Sequence, residues 1–197
     1  MKILLVSDGP HDLGPNFMDG ALERLTRKLL RRDAIFTAIK VSDPSVKTHR
    51  LKGKGGGTEK RVRMWIRRAQ IDGFDAIILV IDRDKEAERI QQVKNVQEDE
   101  NVTFPRALGV AIVRFDAWML ADEQAIGKAL GCQIDAQKAP ESNRDPKSDL
   151  RSLQRQSEFD SGLPQLYALI AQRARIDHLK HRCPKGFAPF AQRVEAL

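Results

Sequence analysis

Two aspartates follow a strongly apolar stretch of this chain at a spacing that suits metal binding. The run Ile77–Ile81 leads directly into Asp82, Arg83 and Asp84. An unbroken apolar run of this length predicts a central strand buried on both faces of a sheet, with Asp82 at its end and Asp84 in the loop beyond. Ligands of open α/β sheets bind at this edge. Carboxylates placed there predict a site for Mg²⁺ or Mn²⁺, which prefer oxygen ligands.

Further acids are expected at the same edge of the sheet, because they also follow predicted strands. The three acidic groups are Asp8 with Asp12, Asp82 with Asp84, and Asp116 with Asp122. Clustered carboxylates repel one another unless a cation or a raised pKa relieves them. A divalent metal is the simplest relief, and two metals would clamp both oxygens of a phosphoryl displacement. A structural alternative is that Asp82 caps the following helix and Asp84 lies in its first turn.

Strands and helices alternate along the first two thirds of the chain. Strands are predicted at 2–7, 34–42, 77–81 and 108–113, and helices at 16–30, 58–71, 85–96 and 114–130, with Asn16 and Thr58 as N-caps. Beyond 130 only helices are predicted, at 147–156, 164–176 and 186–196. The pattern predicts a single α/β domain with a mainly parallel sheet of about four strands flanked by helices. Residues 1–130 form its core, and 131–197 form a helical C-terminal extension.

The aromatic side chains are interpreted as packing groups. Trp65 shares the inner face of a predicted helix, which favours the core over a base-stacking role. Phe115 and Trp118 open a helix beside the sheet, where aromatic side chains are usually buried. Among the histidines, only His11 is placed to approach the metal site.

A basic segment surrounds the glycine-rich run Gly53–Gly57. Between Lys47 and Gln70 there are nine lysines and arginines against one acid, Glu59, in a chain of net charge +7. Glycines let backbone N–H groups approach an anion closely, although no P-loop sequence is present. Contact with nucleic-acid phosphates is predicted, and a merely solubilising role is the alternative. The residues predicted to bind nucleic acid are Lys52, Lys54, Lys60 and Arg61.

Composition argues against membrane and disulfide-rich classes of protein. No apolar stretch reaches the roughly 18 residues of a membrane span, and the first residues do not resemble a signal peptide. The two cysteines, Cys132 and Cys183, are too few and too scattered for a disulfide framework or a zinc site. A reduced cytoplasm is the expected compartment.

The acids after the first and third predicted strands resemble the Toprim fold of topoisomerases, primases and OLD-type nucleases. That fold places an acid, usually glutamate followed by glycine, after the first strand and Asp-x-Asp after a later one. The matching residues here are Asp8-Gly9 and Asp82-Arg83-Asp84. Asp8 departs from the usual glutamate, so its carboxylate reaches one methylene less far. The resemblance implies that Asp8, Asp82 and Asp84 hold Mg²⁺ or Mn²⁺.

More closely, nearly the whole chain resembles a bacterial family of Toprim-like proteins of unknown function. Besides the Asp-x-Asp segment and a glycine-lysine loop, the shared segments are Asp116–Asp122 (Asp-Ala-Trp-Met-Leu-Ala-Asp), Pro146-Lys147 and Cys183–Phe190. The resemblance implies a divalent-metal-dependent nuclease or phosphodiesterase acting on nucleic acid, with a role in bacterial defence against phage. Asp116 would then assist Asp8, Asp82 and Asp84 as a second ligand or a base.

Two other functions stay open at this stage. One is a non-catalytic module that binds nucleic acid or a partner protein and works beside an ATPase, as the resemblance to Toprim relatives implies. The other is a receiver-like domain with Asp82 as phosphoacceptor. The receiver is disfavoured because no lysine ends the fourth predicted strand.

Overall fold

A parallel four-stranded sheet forms the centre of the protein, which is seen here as a computed structural model describing residues 1–44 and 57–197. The strands are β1 (Lys2–Ser7), β2 (Ile35–Lys40), β3 (Ala76–Asp82) and β4 (Arg106–Ala111). Their order in the sheet is β2-β1-β3-β4 and every pairing is parallel. The predicted α/β fold with a four-stranded parallel sheet flanked by helices is therefore confirmed.

Helices cover both faces of the sheet. In chain order they are α1 (Pro10–Leu13), α2 (Ala21–Leu29), α3 (Gly57–Ile71), α4 (Glu88–Gln97), α5 (Asp116–Leu120), α6 (Glu123–Leu130), α7 (Pro146–Arg155), α8 (Leu163–Arg173), α9 (Ile176–Arg182) and α10 (Phe187–Glu195). None of them, within the described ranges, has both the length and the hydropathy that a membrane span requires.

The central strands are buried on both faces because their side chains alternate between two hydrophobic clusters. Ile78 and Val80 of β3 face the cluster that includes α2, α8 and α10, whereas Ile77, Leu79 and Ile81 face α3 and α4. Trp65 of α3 is fully buried in the second cluster, as predicted. The near-continuous apolar sequence of β3 follows from this two-sided burial.

The helical C-terminal part packs directly on the sheet. Trp118 and Phe190 stack with their ring centroids 5.3 Å apart, and Phe187 meets Trp118 edge-on at 5.2 Å. Phe190 lies against Gly109 of β4, where a Cβ atom would approach its ring within 2.8 Å. Phe115 and Trp118 are both buried, which confirms their predicted packing role.

Two predicted helix starts are wrong. Asn16 lies in a 3-10 turn with φ 53°, and α2 begins later, at Ala21, with Gly20 as its N-cap. Gly20 packs against the backbone of Leu13, since a Cβ atom on Gly20 would lie 2.2 Å from the Leu13 carbonyl carbon. The chain therefore closes a tight loop between these two residues before α2 begins. Thr58 lies inside the first turn of α3 rather than capping it.

The predicted helix over 114–130 is broken in two. α5 ends at Leu120, and Asp122 caps α6 by accepting a hydrogen bond from the Ala125 N–H at 3.1 Å. The apolar periodicity continues across this break, so hydropathy alone gave no sign of it. A further helix, α9, was not predicted, and α8 ends at Arg173, before the predicted end.

Candidate functional site

Asp8 and Asp82 lie side by side at the C-terminal edge of β1 and β3. The parallel register pairs Ser7, the last residue of β1, with Val80 of β3. Asp8, which follows Ser7, therefore lies beside the end of β3. The backbone N–H of Asp82 donates to Oδ2 of Asp8 at 3.0 Å. The first two acids of the predicted site are thus brought together at the predicted edge.

The Asp82–Asp84 segment is joined to the chain that leaves β4. The N–H of Arg83 donates to the Ala111 carbonyl at 2.9 Å, and that of Asp84 donates to the Val113 carbonyl at 3.0 Å. In return, the N–H of Phe115 donates to Oδ1 of Asp82 at 2.8 Å. These bonds fix the orientation of the Asp82 carboxylate. They also exclude the structural alternative, because α4 begins only at Glu88 and neither aspartate caps it.

Asp116 is held at the same edge by a tyrosine from the C-terminal part. It is the first residue of α5, it is buried, and its Oδ1 accepts a hydrogen bond from the Tyr167 hydroxyl of α8. The charge of Asp116 raises the pKa of both Asp12 and Asp82, which places it close to these two carboxyls. The predicted convergence of acids from three strand ends is therefore present for Asp8, Asp82 and Asp116.

Asp12 supports the loop after β1 from within. Its Oδ2 accepts hydrogen bonds from the Ser7 hydroxyl at 2.6 Å and the Gly9 N–H at 3.2 Å. Burial, and next the charge of Asp82, raise the pKa of Asp12 well above its usual value. These contacts assign Asp12 to holding the turn that presents Asp8.

Asp84 projects to the outer side of the site. It adopts φ 49°, a left-handed conformation that aspartate tolerates better than most residues. Its side chain is 44% exposed and pairs with Arg89 at 3.3 Å and Arg114 at 3.4 Å. Sequence reasoning did not identify these two arginines, because their positions relative to Asp84 depend on how α4 and the β4–α5 turn pack.

The carboxyl groups at this edge are poorly neutralised. Burial is the largest cause that raises the pKa of Asp82 to about 7, and the charges of Asp8, Asp116 and Asp84 add to it. Burial likewise raises the pKa of Asp8. Buried carboxyls surrounded by like charge are what a cation would stabilise.

The carboxylates at this edge keep some of their oxygen atoms free of hydrogen bonds. Among the contacts of the described residues, Oδ1 of Asp8 and Oδ2 of Asp82 accept no hydrogen bond, and the same is true of Oδ2 of Asp116. Three carboxylate oxygens are thus left free, one in the loop after β1, one at the end of β3 and one at the start of α5. Carboxylate oxygens are the ligand type that Mg²⁺ and Mn²⁺ prefer, but these three groups do not all lie within 4.8 Å of one another in this structure.

Positive side chains flank the acids on two sides. On one side, Arg61 and Arg89 line a small cavity together with Asp8. On the other side, the charges of Lys147, Arg151 and Lys40 all act on His11. The site is therefore acidic at its centre and basic at its rim.

His11 faces Tyr167 at the inner side of the site. Its ring meets the Tyr167 ring edge-on at 5.8 Å, and its buried Nδ1 has no hydrogen-bond partner among the described residues. Burial, followed by the charge of Lys147, lowers its pKa, so the imidazole is neutral at pH 7. The charge of Asp116 opposes these two effects on the imidazole.

A second group of metal-ligand types lies elsewhere in the described structure. Atoms of Asp122, Glu123 and His178 lie within 4.8 Å of one another, a condition that Asp8 and Asp82 do not meet with either Asp84 or Asp116. Asp122 is fully buried, but its oxygens accept hydrogen bonds from the Arg175 N–H, the Arg175 guanidinium and the Ala125 N–H. Although burial opposes it, the bonds from Arg175 hold the pKa of Asp122 below its usual value.

Asp122 therefore has a structural role instead of the expected place in the acidic cluster. A cation at this second group would have to compete with the Arg175 guanidinium, which also contacts Glu123 at 3.4 Å. Asp122 caps α6 and ties it to the start of α9, so the prediction that it joins Asp116 at the site is wrong.

The predicted basic segment is only partly within the described structure. Lys52 and Lys54 lie outside the described residues. Lys60 and Arg61 lie in the first half of α3, and Arg61 is the one that acts on Asp8. The proximity of Arg61 to the acids gives the basic segment at least one point of contact with the site.

Several residues of the site were missed by sequence reasoning. Tyr167, Lys147 and Arg151 reach it from the C-terminal helices. The Pro146-Lys147 segment was noted in the sequence without a role, and Tyr167 is the single tyrosine of the chain. Neither signal could place them beside Asp116, because that contact depends on the packing of α7 and α8.

Comparisons with protein-family models, curated proteins and solved structures found no match to this chain.

Proposed function

We propose that this protein is a divalent-metal-dependent phosphodiester hydrolase that acts on nucleic acid. The observation that carries the proposal is the meeting of Asp8, Asp82 and Asp116 at one sheet edge, each with a free carboxylate oxygen. The acid after β1 and the Asp-x-Asp after β3 are also the features behind the resemblance to Toprim nucleases, which supports the same function.

Asp8 and Asp82 would hold the metal, with Asp116 as a further ligand or as the base. Asp84 would join from the outer side, where it now pairs with Arg89 and Arg114. When bound, Mg²⁺ or Mn²⁺ polarises the phosphoryl oxygen and neutralises charge that develops in the transition state.

Asp116 is well placed to accept a proton from an attacking water. The Tyr167 hydroxyl donates to its Oδ1 and so fixes the carboxylate, while Oδ2 stays free. His11, neutral and with an unpartnered Nδ1, offers a second proton acceptor nearby. General base catalysis of this kind typically contributes about 10²–10⁴-fold to a rate.

The basic rim would position the phosphate chain. Arg61 is exposed on the Asp8 side, and Lys147 and Arg151 are spaced four residues apart on α7, hence on one face of that helix. Guanidinium and ammonium groups on both sides of the acids can hold the phosphates that flank the reacting one. The expected substrate class is thus a polyanion longer than one phosphate.

Cleavage assays test the proposal directly. Labelled single- and double-stranded DNA and RNA are incubated with the protein and Mg²⁺ or Mn²⁺. We expect metal-dependent cleavage that falls at least about 100-fold in Asp82→Asn, in line with the loss of a metal-positioned catalytic group. The matched control is Asp33→Asn, which removes an exposed carboxylate at the opposite edge of the sheet and should cleave normally.

The same assay distinguishes the hydrolase from the alternative, a non-catalytic binding module. Nucleic-acid binding without cleavage under any metal would reject the hydrolase and leave a non-catalytic module, for which an ATPase partner stays a prediction. Cleavage that is equal in wild type and Asp82→Asn would show that these acids are not the catalytic site.

A further inference from the structure

A large basic cavity lies on the far side of the Asp82–Asp84 segment. Its volume is about 910 Å³, and its walls come from the loops after β3 and β4, from α4, and from segments 139–144 and 181–185. This volume is in the range of about 300–1,000 Å³ that is usual for small-ligand sites. None of the acids of the candidate site lines it, so it is a separate surface.

The cavity carries an excess of positive charge. Four cationic side chains line it: Arg83, Arg144, Arg182 and Lys185. Of these four side chains, only that of Arg182 has a hydrogen-bond partner in the described part of the chain. The partner is the backbone carbonyl of Gln137. A polyanion would satisfy the other three.

Glu141 is the single acid among the described residues that line the cavity, and its oxygens already have partners. Glu141 is buried, and its two oxygens accept hydrogen bonds from the N–H groups of Lys185 at 3.0 Å and Gly186 at 2.6 Å. Gly186 has no room for a side chain, since a Cβ atom would lie 2.8 Å from Oε1 of Glu141. Glu141 therefore holds the backbone that presents Lys185 and does not pair with the cations.

Apolar groups lie between these cations. Ile112, Val113 and Pro184 line the cavity, and Ile90 of α4 reaches it with 39% of its surface exposed. An exposed isoleucine among arginines offers a surface for a flat apolar group. Phosphate-binding cations around such a surface match a nucleotide unit, which joins an anionic phosphate to a base.

The cavity is also connected to the acidic site through the backbone. Arg83, which lines the cavity, stands between Asp82, the last residue of β3, and Asp84 in the chain. Val113, which also lines the cavity, has φ 66°, an uncommon conformation for a β-branched residue. Its carbonyl accepts a hydrogen bond from the Asp84 N–H. The acids and the cavity thus share one three-residue segment of the backbone.

We propose that this cavity binds one or two nucleotides of a single-stranded nucleic acid that extends from the carboxylate site. The proposal rests on the proposed function in one respect, namely that the reacting phosphate lies at the carboxylate site. Its ligand chemistry is a base-bearing phosphate, which a strand or a free nucleotide could supply, and the strand is favoured because Arg83 of the cavity stands between Asp82 and Asp84 of the carboxylate site.

The test measures binding in EDTA, so that cleavage plays no part. Fluorescence anisotropy of a labelled 12-nucleotide oligo-dT is compared for wild type, Arg144→Glu/Lys185→Glu and the control Arg31→Glu/Arg32→Glu. Both doubles change the charge equally, and Arg31 and Arg32 are exposed at the opposite edge of the sheet. Circular dichroism melts of both doubles establish that they fold, and Arg144→Gln/Lys185→Gln repeats the test with a smaller charge change.

We expect at least tenfold weaker binding for Arg144→Glu/Lys185→Glu and less than twofold for the control. The slope of log affinity against log salt should also fall by about 1.4, at about 0.7 for each lost phosphate contact on a single strand. Equal weakening of both doubles would overturn the proposal, because net charge alone would then explain it. Unchanged binding of the folded cavity variant would overturn it as well.

Two further arms separate the sources of the ligand. A 12-base-pair duplex bound as tightly as oligo-dT would overturn the single-stranded assignment, and so would dTMP bound as tightly as the strand. If cleavage fails but the cavity variants still lose oligo-dT binding, the hydrolase is rejected and the cavity assignment holds. If cleavage occurs and the cavity variants bind normally, the cavity assignment is rejected alone.

Discussion

The backbone N–H of Asp82 donates a hydrogen bond of 3.0 Å to Oδ2 of Asp8, which joins the ends of β1 and β3. One oxygen of Asp8 thereby supports the backbone of its neighbour, and the other stays free. Asp82 is arranged in the same way, with Oδ1 held by Phe115 and Oδ2 free. The two carboxylates are thus fixed in orientation before any ligand binds, which is the condition for a preorganised site.

Replacing Asp82 by asparagine should stabilise the protein at high pH in the absence of divalent ions. The pKa of Asp82 is about 7 in the folded state, against an ordinary value of 3.8. Between these two values the folded state binds more protons than the unfolded state, so the free energy of unfolding falls as pH rises. Asparagine lacks this titration and can still accept the Phe115 N–H through Oδ1.

Denaturant titrations in EDTA at pH 5 and pH 8 measure this effect. We expect Asp82→Asn to exceed wild type at pH 8 by up to about 4 kcal/mol, since each pKa unit corresponds to about 1.4 kcal/mol. The control Asp33→Asn should follow wild type at both values. An Asp82→Asn curve parallel to wild type between pH 5 and pH 8 would contradict the account.

The Tyr167–Asp116 hydrogen bond should be measurable in a double-mutant cycle. Tyr167→Phe keeps the ring that packs against His11 but removes the hydroxyl that reaches Asp116. We expect a loss of about 1–3 kcal/mol in the free energy of unfolding, because a buried hydrogen bond to a charged group is lost. In the Asp116→Ala background the same change should cost much less. Equal costs in both backgrounds would mean that the two side chains are not coupled.

A methyl group on Gly109 should disturb the contact between β4 and α10. Its Cβ would lie 2.8 Å from the Phe190 ring, which is itself fully buried. We expect Gly109→Ala to destabilise the fold by about 1–3 kcal/mol through overpacking. Gly57→Ala is the matched control, because none of the described residues lies within 4 Å of its added Cβ. Thermal melts compare the two, and a neutral Gly109→Ala would disprove this tight contact.

Asp122 should prove structural and not metal-binding. Arg175→Ala removes the guanidinium that donates to both oxygens of Asp122 and leaves that buried carboxylate short of partners. We expect a loss of about 2–4 kcal/mol, which added Mn²⁺ does not restore. Recovery of the melting temperature with Mn²⁺ but not with Na⁺ would instead identify Asp122, Glu123 and His178 as a metal site.

The sequence was sufficient for the sheet because burial on both faces leaves a clear pattern. β3 was predicted almost residue by residue, and β1 was predicted with its observed bounds. β4 was placed two residues late, since its apolar side chains continue past Ala111 into the turn at Val113. Local apolar pattern thus located the strands and the acids that follow them, but not the point where pairing ends.

Contacts made over long sequence distances could not be predicted. Tyr167 reaches Asp116 across 51 residues, and Arg175 reaches Asp122 across 53. Each depends on how the C-terminal helices pack on the sheet, which no local periodicity records. The assignment of Asp122 to the acidic cluster was wrong for this reason: its neighbours in sequence suggested the site, and its partner in space is an arginine.

Isothermal titration calorimetry with Mn²⁺ tests the central claim most directly, because it compares the two groups of possible ligands in one protein. Wild type, Asp8→Asn/Asp82→Asn and Glu123→Gln/His178→Ala are titrated at pH 8, where proton competition at Asp82 is weak. We predict that Asp8→Asn/Asp82→Asn binds at least about tenfold more weakly than wild type, in line with the loss of ligands from a metal site. Glu123→Gln/His178→Ala should bind as wild type does. Unchanged binding by the Asp8 and Asp82 variant would contradict the claim that these two carboxylates hold the metal.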